Sequence, residues 1–129
     1  MAVLGQESIW AAEAAKCAQD QNQFWAYHDK LFNEQQGENS GAFTKANLKR
    51  FAADLHLDTQ QFDSCLDADK YLQDVQNERQ TGQQMGVNST PTFFINGQKY
   101  EGVLSYDRLS AIVKAATPMP NDSGATPTR

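Results

Sequence analysis

The sequence predicts a helix-rich α/β fold with one β-hairpin near its C-terminal end. Three observations carry that prediction. Through residues 7–84, apolar side chains recur at three- and four-residue steps, the period of an amphipathic helix. At Thr92-Phe93-Phe94-Ile95 the pattern becomes a short β-prone run. Asn96-Gly97 then follows, the dipeptide that most favours a two-residue hairpin turn.

The elements follow in order. Glu7 to Ala18 is rich in Ala and Glu, with Ile9, Ala12 and Lys16 at helical spacing and Ser8 or Glu7 at its start. Gln23 to Gln35 reads as a second helix through Phe24, Tyr27, Leu31 and Phe32, with Trp25 on a neighbouring face. Turn chemistry at 36–41 ends it. Thr44 is a good N-cap for a helix whose inward face is Leu48, Phe51, Ala52 and Leu55. Asp58-Thr59 caps a short helix that turns Phe62, Cys65 and Leu66 inward. A polar helix over 70–84 places Tyr71, Leu72, Val75 and Arg79 on one side. Lys99 to Val103 is the return strand after the hairpin, and Ser105 caps a last helix through Leu109, Ile112, Val113 and Ala116. Residues 118–129, rich in Pro, Ser, Thr and Gly, are expected to be a disordered tail. The expected organisation is a helical region over 1–88, a ββα unit over 89–117 and that tail.

Composition narrows the function classes. The chain has 129 residues and a net charge of −5, enough for one domain with its own core. Its densest basic cluster is Lys45, Lys49 and Arg50, which reads as a charged helix face, so nucleic acid is set aside. No run approaches the ~20 apolar residues of a membrane span. The first residues lack the basic and apolar regions of a signal peptide, which places the protein in the cytoplasm if the sequence is complete.

Candidate chemistry is sparse. Cys17 and Cys65 are the two cysteines, too far apart to form a Cys-x-x-Cys. Neither His28 nor His56 falls at zinc-finger spacing, and no metal or cofactor is expected. His28 lies among aromatic residues and reads as a packing residue; His56 reads as solvated at a helix end. Trp10, Trp25 and Tyr27 admit a binding strip but read better as core. Asp67 with Asp69, and Glu34 with Glu38, read as surface charge rather than acid–base pairs. The hairpin itself poses a question. Two strands make a poor sheet, and the apolar edge of Thr92–Ile95 calls for a partner.

The run from Met85 to Gly97, with Ser89-Thr90-Pro91-Thr92-Phe93-Phe94-Ile95-Asn96-Gly97 at its centre, resembles the second half of the thioredoxin fold in the DsbA-like thiol–disulfide oxidoreductase family. The stretches 11–18 and 24–32 are similar to the start of that family's helical insertion, and 62–67 to a later helix of it. The resemblance covers about 4–116. It implies a thioredoxin-like α/β fold of DsbA type: a helical insertion followed by a ββα half. The family's N-terminal βαβ half, with its Cys-x-x-Cys at a helix N-terminus, has no counterpart in this sequence. No catalytic residue is therefore assigned.

By resemblance, Pro91 matches the family's cis-proline, and Thr90 before it offers its backbone to an extended protein substrate. The family works outside the cytoplasm, where an even cysteine count favours a structural disulfide between Cys17 and Cys65. Such a bridge would close a loop of about 49 residues and stabilise by roughly 4 kcal/mol. Two buried free thiols, or a catalytic or metal role, remain the other readings. Three functions follow: a partial oxidoreductase, inactive alone; a non-catalytic module that binds a peptide or a second copy through the 92–95 edge; or a relative of glutathione-dependent isomerases.

Overall fold

A computed structural model describes residues 4–118. They form two compact units, divided after Gly86.

The first unit is a bundle of five helices: α1 (Gln6–Gln19), α2 (Phe24–Glu34), α3 (Lys45–Asp54), α4 (Thr59–Asp67) and α5 (Leu72–Gln84). α1 is its hub and packs on each of the other four. Its composition explains this. Ala14, Ala15 and Ala18 are buried and, having little side chain, let the neighbouring helices approach closely. The inward face is thus set by Glu13, Ala14, Cys17 and Ala18, whereas Ile9, Ala12 and Lys16 are only half-buried. Bulk comes from the surrounding helices, through Tyr27, Leu48, Phe51, Phe62, Leu66 and Val75. Tyr27 is fully buried and donates its hydroxyl to the Leu48 carbonyl at 2.8 Å, joining α2 to α3. Desolvation drives its pKa far above the ordinary phenol value.

The caps follow local chemistry. Thr44 accepts from the Asn47 amide and Asp58 from the Gln61 amide. α1 differs from expectation, because Gly5 precedes it with no side-chain cap. Glu7 is used elsewhere: its carboxylate accepts from the amides of Gly41 and Phe43 and latches the 37–43 loop onto the helix. α5 begins at Leu72, two residues later than the pattern suggests, and buries only Val75; Arg79 is exposed.

Two of the three basic-cluster residues form ion pairs, and Arg50 lies over the Phe51 ring at 5.5 Å. Lys45 Nζ donates to Asp69 at 2.7 Å and to the Leu66 carbonyl at the end of α4, and Lys49 pairs with Asp67 at 2.7 Å. The same contacts account for Asp67 and Asp69. Glu34 likewise pairs with Lys30.

The second unit is described from Val87 to Pro118. β1 (Thr92–Ile95) and β2 (Gln98–Glu101) pair antiparallel, Phe93 opposite Tyr100 and Ile95 opposite Gln98, and α6 (Tyr106–Ala116) lies against β1. β2 ends two residues before the expected Val103, at a bend where Gly102 has a φ of +86°. Ser105 caps α6 by accepting from the Arg108 amide. No described residue of this unit is buried to the degree of the helical core. The expected tail lies outside the described residues except for Pro118.

Candidate functional site

The Ser89–Gly97 segment is built outward from its turn. Asn96 and Gly97 have φ of +49° and +80°, the left-handed pair that a two-residue turn needs. Nothing stands near the position of a Gly97 Cβ, so its glycine answers to backbone conformation rather than to space. The Asn96 amide donates to the Ala116 carbonyl at 2.7 Å and pins the turn to the end of α6.

This turn fixes the ladder. The Gly102 amide donates to the Pro91 carbonyl at 2.9 Å, and Pro91, Phe93 and Ile95 are the positions that face β2. Alternation then directs the N–H and C=O groups of Thr92 and Phe94 away from β2. No second strand pairs with β1 among the described residues. The outer edge of β1 therefore carries backbone donors and acceptors in register, and it begins beside the exposed Thr90 and Pro91. The Thr90–Pro91 bond is cis. The Thr92 hydroxyl donates to the Ser89 carbonyl at 2.7 Å and holds the loop entering the strand.

Cys17 and Cys65 form a disulfide, with Cα atoms 5.9 Å apart, that joins α1 to α4 inside the helical core. No other cysteine exists in the sequence, and both thiols are consumed in the bridge. No group of three or more His, Cys, Asp or Glu side chains is placed to hold a metal among the described residues. His28 Nδ1 lies 3.0 Å from Asp29 Oδ1. His56 is exposed just beyond α3, with a φ of +58°.

Two features were not legible in the sequence. Glu13 is 1% exposed, and neither carboxylate oxygen has a hydrogen-bond partner among the described residues. Burial raises its pKa, the charge of Asp69 adds to the rise, and Lys45 opposes it. An Ala- and Glu-rich helix gives no sign of which glutamate turns inward. The second feature is a correction: Trp25 is not core. It is 70% exposed, and Phe32, also expected inward, is 72% exposed. His28 lies between them, with ring centroids 5.2 Å from Trp25 and 4.7 Å from Phe32. Trp10 and Tyr27 do contribute to the core.

Comparison with known proteins covers nearly the whole chain. The family model described as Thioredoxin matches residues 2–115. The Na(+)/H(+) antiporter NhaA 1 of Salinispora arenicola is 35% identical over 106 residues, which are 82% of this chain but 16% of that protein. The antiporter NhaA of Herminiimonas arsenicoxydans is 29% identical over the same shares. Disulfide bond formation protein D of Bacillus subtilis is 23% identical over 115 residues, 88% of this chain and 49% of that protein. The chain thus spans about a sixth of the antiporters and about half of the disulfide protein. No solved structure matches it.

Proposed function

The chain belongs to the thioredoxin family, in its DsbA-like branch, and from that membership we propose that it serves protein dithiol–disulfide exchange by holding the extended protein substrate. The observation that carries this reading is the outer edge of β1. Thr92 and Phe94 point their backbone groups away from β2, next to the exposed Thr90 and Pro91. An extended peptide can add to such an edge as a further strand, with main-chain hydrogen bonds supplying affinity. The exchange itself needs an attacking thiolate. Since Cys17 and Cys65 are spent in a buried bridge, a Cys-x-x-Cys has to come from outside this sequence, and the chain alone is expected to show no turnover.

The test is titration of the isotope-labelled chain with an unfolded, reduced peptide. Amide shifts and slowed exchange at Thr92 and Phe94 support the reading. Unchanged amides there, or turnover by the chain alone, contradict it. The same edge is the surface on which two copies would pair when no peptide is present. Light scattering should then show a dimer that excess peptide dissolves. The working compartment in this reading is extracytoplasmic, where a buried disulfide persists. No helix among the described residues is long and apolar enough to cross a membrane.

A second reading rests on the antiporter similarity, in which a like stretch is 16% of a much longer protein. Here the unit works as one part of such a polypeptide and holds a segment of that same protein. Immunoblotting of cell extracts separates the two. A single species near 14.4 kDa would rule out this second reading, and a species several-fold larger would support it.

A further inference from the structure

The exposed face of α2 carries large aromatic rings, Trp25 and Phe32, beside Asp29 and Asn33. Trp25, His28 and Phe32 follow one another at three- and four-residue steps, so they form a single stripe. Phe24 supports it from the half-buried side, edge-on to Trp25 at 5.1 Å. Scattered apolar surface residues need no explanation; a contiguous aromatic stripe does.

The stripe also leads somewhere. Phe32 lines a groove of about 280 Å³ whose other apolar walls are Leu4, Ala11, Leu31 and Phe43. That volume lies just below the roughly 300–1,000 Å³ of small-molecule and cofactor sites, so it suits one or two side chains better than a cofactor.

Charge selects the occupant. Among the described residues no Lys or Arg lines the groove, whereas Glu7 and Glu38 do. Asp29, beside His28, is 75% exposed at its side chain. The nearest lysine on the helix, Lys30, is occupied by Glu34 and Asp54. The exposed ring faces of Trp25 and Phe32 themselves attract cations. We infer that the α2 stripe and the groove it enters are a docking strip for a cationic, apolar polypeptide segment, with an apolar side chain in the groove and Lys or Arg over the rings and acidic rim. This strip lies in the helical unit and is independent of the β1 edge.

Fluorescence anisotropy tests it with a labelled amphipathic peptide rich in Leu and Arg, beside versions with Arg replaced by Glu or Leu replaced by Ser. The first peptide should bind at least roughly tenfold tighter than either control. Trp25→Ala and Phe32→Ala should each weaken it about tenfold while circular dichroism stays unchanged, since both side chains are mostly solvated. Asp29→Asn with Glu38→Gln should narrow the gap between the Arg and Glu peptides. Equal binding of the Arg and Glu peptides, no binding, or full affinity in both alanine variants overturns the inference. So does a dimer that Phe32→Ala abolishes and the peptide cannot dissolve, because a second copy would then be the occupant.

Discussion

The two units of this chain bury their apolar surface in opposite ways. In the helical unit, Tyr27, Leu48, Phe51, Phe62, Leu66 and Val75 are each almost wholly excluded from solvent, and a disulfide ties the hub helix to α4. In the ββα unit, Val103 is 87% exposed and Tyr106 84%, and nothing from 87 to 118 is fully buried. Each buried apolar side chain stabilises by about 1.5–3 kcal/mol. The helical unit therefore has its own source of stability, and the ββα unit rests on ladder bonds, a cap and half-buried contacts. A unit in the second condition has apolar surface and a strand edge available for something else. This is the physical ground for proposing that edge as the peptide-holding one.

The contrast can be broken experimentally. The largest effect should come from the disulfide. Replacing Cys17 and Cys65 with Ser should cost the helical unit roughly 4 kcal/mol by loop entropy, read as a lower urea midpoint for its amides. Hydrogen exchange at the Asn96-Gly97 turn should stay unchanged. An equal loss in both units would mean that they fold as one.

Tyr27→Phe comes next. It removes the hydroxyl donated to the Leu48 carbonyl and should cost about 1 kcal/mol in the same melt. A null result would mean that packing of the ring alone joins α2 to α3.

Glu13 gives a pH signature confined to the helical unit. Its folded pKa is raised, so between the unfolded value near 4.5 and the raised one the native state holds more proton than the unfolded state. Stability should fall as pH rises through that window. Glu13→Gln should flatten the slope. Parallel pH profiles for the two proteins would show that Glu13 finds a partner in solution.

The smallest effect sharpens the contrast most. Val103→Ser should change stability by less than about 0.5 kcal/mol, because that side chain is almost fully solvated. A loss above ~1 kcal/mol would show that the face is covered in solution.

Much of this was legible from local chemistry. Thr44, Asp58 and Ser105 cap helices because an Oγ or Oδ accepts an orphan amide within three residues. Asn96-Gly97 makes the hairpin because those two residues tolerate positive φ. The inward faces of α3 and α4 followed from period alone, and the thioredoxin family from ordered blocks of residues. The miss at Trp25 has a plain cause. Trp25 was assigned inward by its hydrophobicity, yet on α2 the core takes Tyr27, whose hydroxyl reaches Leu48, and leaves Trp25 in solvent.

The sequence by itself determined which segments are helix or strand, and where α3, α4 and α6 start, because caps, turns and periods act over three or four residues. Tertiary structure alone decided which face of an Ala-rich helix becomes the hub, which glutamate is buried unpaired and which aromatics remain in water. Those outcomes depend on what other helices bring to the same space, and no short-range pattern in α1 or α2 records it.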